Sequence, residues 1–125
     1  MERPREEAFR TCGSCRQGWP TAAAFLGDAT ITVLGLQVAE HLPDANLLIF
    51  EHGCGTSVSV RASRLRFLLP DPAEGADLPS LYGSEECQGL CRRLEEWKTC
   101  DRRCVNARDR LLLQLVLRIK TGSDD

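Results

Sequence analysis

Cysteine limits how this protein can fold more than any other feature of its sequence, since a chain of 125 residues contains seven. An odd number does not suit a framework built of disulfides alone. The N-terminal stretch MERPREEAFRTC lacks the apolar segment of a secretory signal, so we expect a cytoplasmic protein. In a reducing compartment, a cysteine-rich chain is expected to use its thiols for metal binding or redox chemistry.

The first group of candidate ligands joins two short, glycine-containing turns. CGSC supplies Cys12 and Cys15, and FEHGCG supplies His52 and Cys54 much later in the chain. Two thiolates in one tight turn can point at a single ion, and zinc takes four cysteine or histidine ligands at tetrahedral corners. These four residues therefore predict a zinc site. A thioredoxin-like redox pair is the alternative for Cys12 and Cys15, although such a pair normally opens a helix after a strand.

CGSC and HGCG resemble the two knuckles of a zinc ribbon. The combination of FEHGCGTSVSV with an earlier Cys-x-x-Cys and a tryptophan is also similar to small uncharacterised cysteine-rich bacterial proteins, which brings no activity with it. A ribbon knuckle usually reads Cys-x-x-Cys-Gly, whereas here Glu51 stands where its first cysteine would be. His52 is therefore the predicted ligand from a shifted position, and Glu51 is the alternative.

A second group of candidate ligands lies in two Cys-x-x-x-Cys pairs, CQGLC and CDRRC. Positions i and i+4 share one face of a helix, so two helices joined by a turn near Lys98 would bring four thiolates together. We predict a second zinc ion here; an iron–sulfur cluster and paired disulfides are the alternatives. In the last case the spacing resembles the twin Cys-x-x-x-Cys proteins of the mitochondrial intermembrane space. The predicted ligands are Cys87, Cys91, Cys100 and Cys104.

The rest of the pattern predicts an α+β fold, with a zinc-ribbon-like three-stranded antiparallel sheet followed by a C-terminal helical hairpin. Alternating β-branched stretches predict strands over 30–38, 47–51 and 56–61, after a short helix capped by Thr21. Prolines and glycines predict a linker loop over 70–83. It separates a β-rich metal-binding half, 1–69, from a helical-hairpin half, 84–121, and we expect the two to pack as one domain.

The segment from Leu111 to Ile119 is apolar nearly all round a helix. It is predicted either to be buried against the sheet or to bind a protein partner, a second copy in a homodimer included. A net charge of −2 favours no nucleic acid, and no apolar run is long enough to cross a membrane. Because no catalytic set is evident, we predict a non-enzymatic interaction or regulatory module with structural zinc. The alternative is a redox protein, either an iron–sulfur electron carrier or a zinc–thiolate sensor.

Overall fold

A three-stranded antiparallel sheet forms the centre of the protein in a computed structural model, which describes residues 8–39 and 42–121. Its strands are β3 (Ile31–Gln37), β4 (Leu47–His52) and β5 (Ser57–Arg61), hydrogen-bonded in that order. Side chains along each strand alternate between buried and exposed, as expected for a sheet with one face in the core. The predicted α+β class and the three-stranded sheet are confirmed.

A small hairpin precedes this sheet and was predicted only as a bend. Its strands are β1 (Arg10–Thr11) and β2 (Gly18–Trp19), and helix α1 (Ala22–Leu26) follows directly. The predicted cap is confirmed, because Thr21 Oγ1 accepts a hydrogen bond from Ala24 N at 3.0 Å. Arg10 Nε donates to Ser59 O at 2.8 Å and so attaches the hairpin to β5.

Aromatic side chains connect the hairpin, helix α1 and the sheet in one apolar core. The ring centroid of Phe25 lies 4.9 Å from that of Phe50 and 5.1 Å from that of Trp19, with the rings edge to face in both cases. Leu36 and Leu48 on the sheet are fully buried in the same core. The β1–β2 hairpin is thereby held against the C-terminal end of β4.

The C-terminal helix α2 (Val105–Thr121) covers the sheet with one face. Leu112, Leu113 and Val116 are completely buried, at a spacing that places them on one side of a helix. Leu111 and Ile119 remain 39% and 45% exposed. The central residues of this segment are therefore buried against the sheet, which was one of the two expectations.

The predicted first helix of the C-terminal hairpin does not form. Between residues 84 and 104, all of them described, regular structure is limited to one 3-10 turn, Leu90–Arg92. Carbonyl groups that a helix would use internally are bonded elsewhere: Leu94 O accepts from Leu36 N on β3, and Lys98 O accepts from Arg110 Nε on α2. Tertiary hydrogen bonds thus replace helical ones, and one helix stands where a hairpin was expected.

No helix in the part of the chain that the structure describes combines the length and apolar character needed to cross a membrane.

Candidate metal centre

The loop between β1 and β2 forms the first of two ligand-bearing turns. Cys12 N donates to Gln17 O at 2.8 Å, and Arg16 N donates to Cys12 O at 3.0 Å, so the loop folds back tightly on itself. Arg16 has φ 69, a left-handed conformation that a glycine adopts more easily. The backbone therefore makes, at Arg16, a bend that glycine would make more easily.

The tight connection between β4 and β5 forms the second turn. Gly55 N donates to His52 O at 2.8 Å, and His52 N donates to Thr56 O at 2.9 Å. Gly55 has φ 97, in the region that favours glycine. Because side chains alternate along β4, His52 is buried while Glu51 is exposed on the opposite face. The strand register thus brings His52, and not Glu51, to the cysteines.

The two turns bring four potential ligand atoms together. Cys12 Sγ lies 3.7 Å from Cys54 Sγ, and Cys15 Sγ lies 3.6 Å from His52 Nδ1. All four ligand atoms lie within 4.8 Å of one another. Around a tetrahedral zinc ion, bond lengths of about 2.3 Å to sulfur and about 2.0 Å to nitrogen require S–S and S–N edges of about 3.8 and 3.5 Å. These two distances therefore match the edges of such a site.

The centre lies where the apolar core meets the protein surface, so it is partly shielded from water. Cys12 and His52 are buried, whereas Cys15 and Cys54 are exposed. The Trp19 ring packs edge to face against the imidazole of His52, with the centroids 5.1 Å apart. One side of the site is therefore apolar and fixed, and the other side faces solvent.

A chain of hydrogen bonds determines which nitrogen of His52 faces the cysteines. Gln17 Nε2 donates to Asp28 Oδ2 at 3.1 Å, which leaves Gln17 Oε1 facing His52 Nε2 at 3.1 Å. Since the amide oxygen only accepts, Nε2 carries the imidazole proton and Nδ1 keeps its lone pair. An imidazole oriented by such a partner is the usual arrangement for a histidine that binds a metal.

Asp28 anchors this chain of hydrogen bonds. Its Oδ1 accepts from both Thr30 N and Thr30 Oγ1, at 2.8 and 2.7 Å, and its Oδ2 also accepts from Trp19 Nε1 at 2.8 Å. These bonds, with those from Thr30 first, hold the pKa of the Asp28 carboxyl well below its usual range. The carboxylate is thus ionised at neutral pH, and an ionised carboxylate can only accept from Gln17.

The backbone of the first turn also favours the thiolate form of one cysteine. The N–H of Cys15 lowers the pKa of Cys12 to about 6, helped by Ser14 N–H, His52 and Cys54 against the opposing effect of burial. For Cys15, a backbone bond from Gln17 lowers the pKa, but burial and the nearby Cys12 and Cys54 sulfurs outweigh it and the pKa is raised. Cys12 therefore ionises before Cys15, and thiolates are the form that binds metal.

The second predicted group is not assembled in the same way. Among the described residues, the Cys12 group is the one set of three or more cysteine, histidine or acidic side chains close enough to share a metal ion. Cys87, Cys91 and Cys100 are half-buried in the irregular segment, and Cys104 is buried just before α2. With no first helix and with α2 starting at Val105, none of the four lies on an α-helix, so the predicted two-helix arrangement of the site is wrong.

Two residues of the first centre were not predicted, Gln17 and Asp28. Both are ordinary polar residues near a turn. Their role depends on the contact between Gln17 and His52, two residues that are far apart in the sequence. A glutamine two positions after a Cys-x-x-Cys carries no recognisable signal by itself. The four candidate ligands, in contrast, could be predicted because their chemistry and spacing are visible in the sequence.

Comparisons of the chain with protein-family models, with curated proteins and with solved structures found no match.

Proposed function

We propose that this protein is a zinc-binding module in which Cys12, Cys15, His52 and Cys54 hold one zinc ion. The observation that carries the proposal is the fit of the 3.7 Å sulfur–sulfur and 3.6 Å sulfur–nitrogen distances to tetrahedral edges. Support comes from the orientation of His52 by Gln17, which aims Nδ1 at the sulfurs. Three thiolates and one imidazole are a common ligand set of structural zinc.

The role proposed for this zinc is structural. Four protein ligands complete a tetrahedral site, so no position is left for the water that a catalytic zinc activates. The ion would join the β1–β2 turn to the β4–β5 turn, since each contributes two ligands. A short chain with a modest core gains much of its folding free energy from such a cross-link. The folded module is then available for a non-catalytic interaction or regulatory task.

Adjacent substitutions in β4 test the ligand set. His52→Ala removes a ligand whereas Glu51→Ala removes an exposed carboxylate from the next position on the same strand. In protein purified under reducing conditions, we expect Glu51→Ala to keep the zinc content of the unmodified chain and His52→Ala to lose one zinc ion per chain. Zinc would be counted by elemental analysis and by native mass spectrometry. Full zinc content in His52→Ala, or loss only in Glu51→Ala, would contradict the assignment.

A second candidate function, a zinc–thiolate redox sensor, is favoured by the exposure of Cys15 and Cys54. A peroxide reaching these sulfurs would take two electrons from two zinc-bound thiolates. One disulfide forms, the O–O bond breaks, the two oxygens leave as two waters after taking up two protons, and zinc is released. The 3.7 Å separation of the Cys12 and Cys54 sulfurs makes that pair the one to oxidise.

Zinc release separates the two candidates. Stoichiometric hydrogen peroxide, with a chromogenic zinc indicator present, should release zinc within minutes from a sensor and leave a purely structural site loaded. Addition of a thiol reductant and zinc should then restore a sensor to its original metal content. If no zinc is released at this dose of peroxide, the sensor function is excluded and only the structural role remains.

A further inference from the structure

Lys120, in the last turn of α2, contacts the turn that follows helix α1. Its Nζ donates to Leu26 O at 2.8 Å and to Asp28 O at 2.7 Å. Leu26 is the last residue of α1, and carbonyl groups at the end of a helix have no partner within that helix. The lysine therefore caps α1 from a distant part of the chain, and it does so at the residue that anchors the hydrogen bonds to His52.

The backbone of Asp28 is fixed from three sides. Its N donates to Phe25 O at 3.3 Å in α1, and its O accepts from Ile31 N at 3.0 Å at the start of β3. The same oxygen accepts from Lys120 on α2. The carboxylate of Asp28 remains for the bonds that lead to the metal centre. The position of this carboxylate therefore depends on the end of α2 as well as on the local turn.

The ammonium group of Lys120 is partly removed from water, which makes its two bonds stronger. The residue is half-buried, and burial lowers the pKa of Lys120 while the negative charge of Asp28 acts in the opposite direction. Hydrogen bonds from a charged donor are stronger than those between neutral groups, and low local polarity strengthens them further. The contact is therefore more than the loose approach of a surface lysine.

From Asp28 the contacts lead directly to a metal ligand. Asp28 Oδ2 accepts from Gln17 Nε2 at 3.1 Å, and Gln17 Oε1 faces His52 Nε2, also at 3.1 Å. On the other side of the ring, His52 Nδ1 lies 3.6 Å from Cys15 Sγ. Hydrogen bonds weaken steeply when their geometry is distorted. A displacement of Asp28 is therefore expected to change the orientation of the imidazole.

We propose that Lys120 is a positioning residue for the zinc centre and couples zinc binding to the docking of the C-terminal end of α2. The inference rests on the proposed function, because it takes the ligand set of that site as given. While Lys120 holds Asp28 in place, Gln17 presents its amide oxygen to His52 in the orientation that zinc binding needs. Coupling between two sites is reciprocal, so zinc in turn holds the last turn of α2 against α1.

Substitutions in the last turn of α2 test the positioning role in the full chain. Lys120→Met removes both hydrogen bonds but keeps a long unbranched side chain, and it should weaken zinc binding about 2–30-fold. Lys120→Arg keeps a cationic donor and should recover part of the affinity. Arg118→Met is the matched control, since it removes an exposed cation from the same turn, and it should bind zinc as the unmodified chain does. Equal affinities of Lys120→Met and Arg118→Met, measured by competition with a chromophoric chelator, would overturn the proposal.

A double-mutant cycle separates positioning from a general loss of stability. If Lys120 acts through Asp28 and Gln17, its substitution has nothing left to disturb once Gln17 is alanine. The combined Lys120→Met, Gln17→Ala variant should therefore bind zinc as Gln17→Ala alone does. Effects of independent residues add instead. Additive losses would mean that Lys120 only stabilises the fold, and would overturn the proposal.

Hydrogen exchange tests the reverse direction of the coupling with Lys120 left in place. In zinc-saturated Gln17→Ala, amide exchange over 118–121 should be faster than in the zinc-saturated unmodified chain, although no residue of α2 has been changed. The centre of α2, over 112–116, is the internal reference and should exchange at the same rate in both proteins, because its buried residues are held by the core. Unchanged exchange over 118–121 would overturn the coupling.

The outcomes distinguish this inference from the zinc assignment on which it rests. Zinc affinity that is the same in His52→Ala as in the unmodified chain would overturn the proposed site, and the coupling with it. Zinc binding that depends on His52 but is equal in Lys120→Met and Arg118→Met would overturn the coupling alone.

Discussion

The imidazole of His52 has two nitrogens, and only the one without the proton can bind a metal ion. Nδ1 faces the cysteines, so His52 can act as a ligand there only if the proton is on Nε2. Gln17 makes that choice, because its amide oxygen faces Nε2 while its amide nitrogen is bonded to Asp28. Asp28 is in turn kept ionised by hydrogen bonds from Thr30 and Trp19. The chemistry of one ring nitrogen is therefore determined by residues that are not themselves ligands.

Replacing Gln17 by alanine should weaken zinc binding at the first centre without removing a ligand. His52 would lose the acceptor that orients it, and such losses typically lower metal affinity about 10–100-fold. The measurement is competition with a chromophoric chelator at fixed pH. Gln37→Ala, an exposed glutamine at the end of β3, is the control and should bind zinc as the unmodified chain does. Equal affinity in the two variants would mean that Gln17 does not orient the ligand.

At the scale of elements, two turns bring the candidate ligands together, and the register of β4 places His52 rather than Glu51 among them. One residue of slip in β4 would exchange His52 for Glu51 at the centre, since successive side chains point to opposite faces. Pairing of Glu51 with both Thr32 and Ser57 fixes that register from both sides. The β4–β5 turn is tight enough to need a left-handed residue at Gly55.

Gly55→Ala should destabilise the zinc-loaded protein by about 1–2 kcal/mol. The added methyl group meets no atom within 4 Å, so the cost comes from the backbone, whose φ is 97. Gly13→Ala is a matched control in the other turn: it too has open space around its Cβ position, but its φ is not positive. Urea denaturation of both variants measures the difference. Equal unfolding free energies for Gly55→Ala and Gly13→Ala would show that a side chain at residue 55 does not strain the β4–β5 turn.

At the scale of the molecule, a buried polar network joins α2 to the segments before β4 and after β5, in addition to the apolar packing of α2 on the sheet. Asp109 on α2 accepts from Arg66 Nε and Nη2 at 2.9 and 2.7 Å, and from Asn46 Nδ2 at 2.9 Å. Asn46 lies just before β4 and Arg66 lies after β5. The network therefore fixes the first turns of α2 relative to the sheet.

Asp109→Ala should cost about 3–5 kcal/mol of unfolding free energy, because it leaves a buried guanidinium without its main partner. Asp77→Ala removes an exposed carboxylate from the loop before α2 and should change stability by about 0.5 kcal/mol or less. Both can be read from urea or thermal unfolding of the zinc-loaded chain. A small effect of Asp109→Ala would mean that water replaces the lost carboxylate.

Self-association through the Leu111–Ile119 helix stays a prediction. Burial of Leu112, Leu113 and Val116 leaves Leu111 and Ile119 as the large exposed apolar side chains of α2. If they form a homodimer, the Leu111→Glu, Ile119→Glu double variant should halve the mass found by light scattering at micromolar concentration. A monomeric mass for the unmodified protein would remove the prediction.

The sequence by itself indicated the candidate ligands of the first centre, with Glu51 as the alternative to His52, the three strands of the main sheet and a helix that contains Leu111–Ile119. Each of these depends on local chemistry: paired cysteines in glycine turns, alternation along strands and the apolar content of a helix. The helix predicted over 84–100 failed because good local helix signals were outweighed by bonds to β3 and α2. Only the tertiary structure decided the choice of His52 over Glu51 and the partners of the imidazole. Those depend on contacts between residues distant in sequence, which local patterns do not encode.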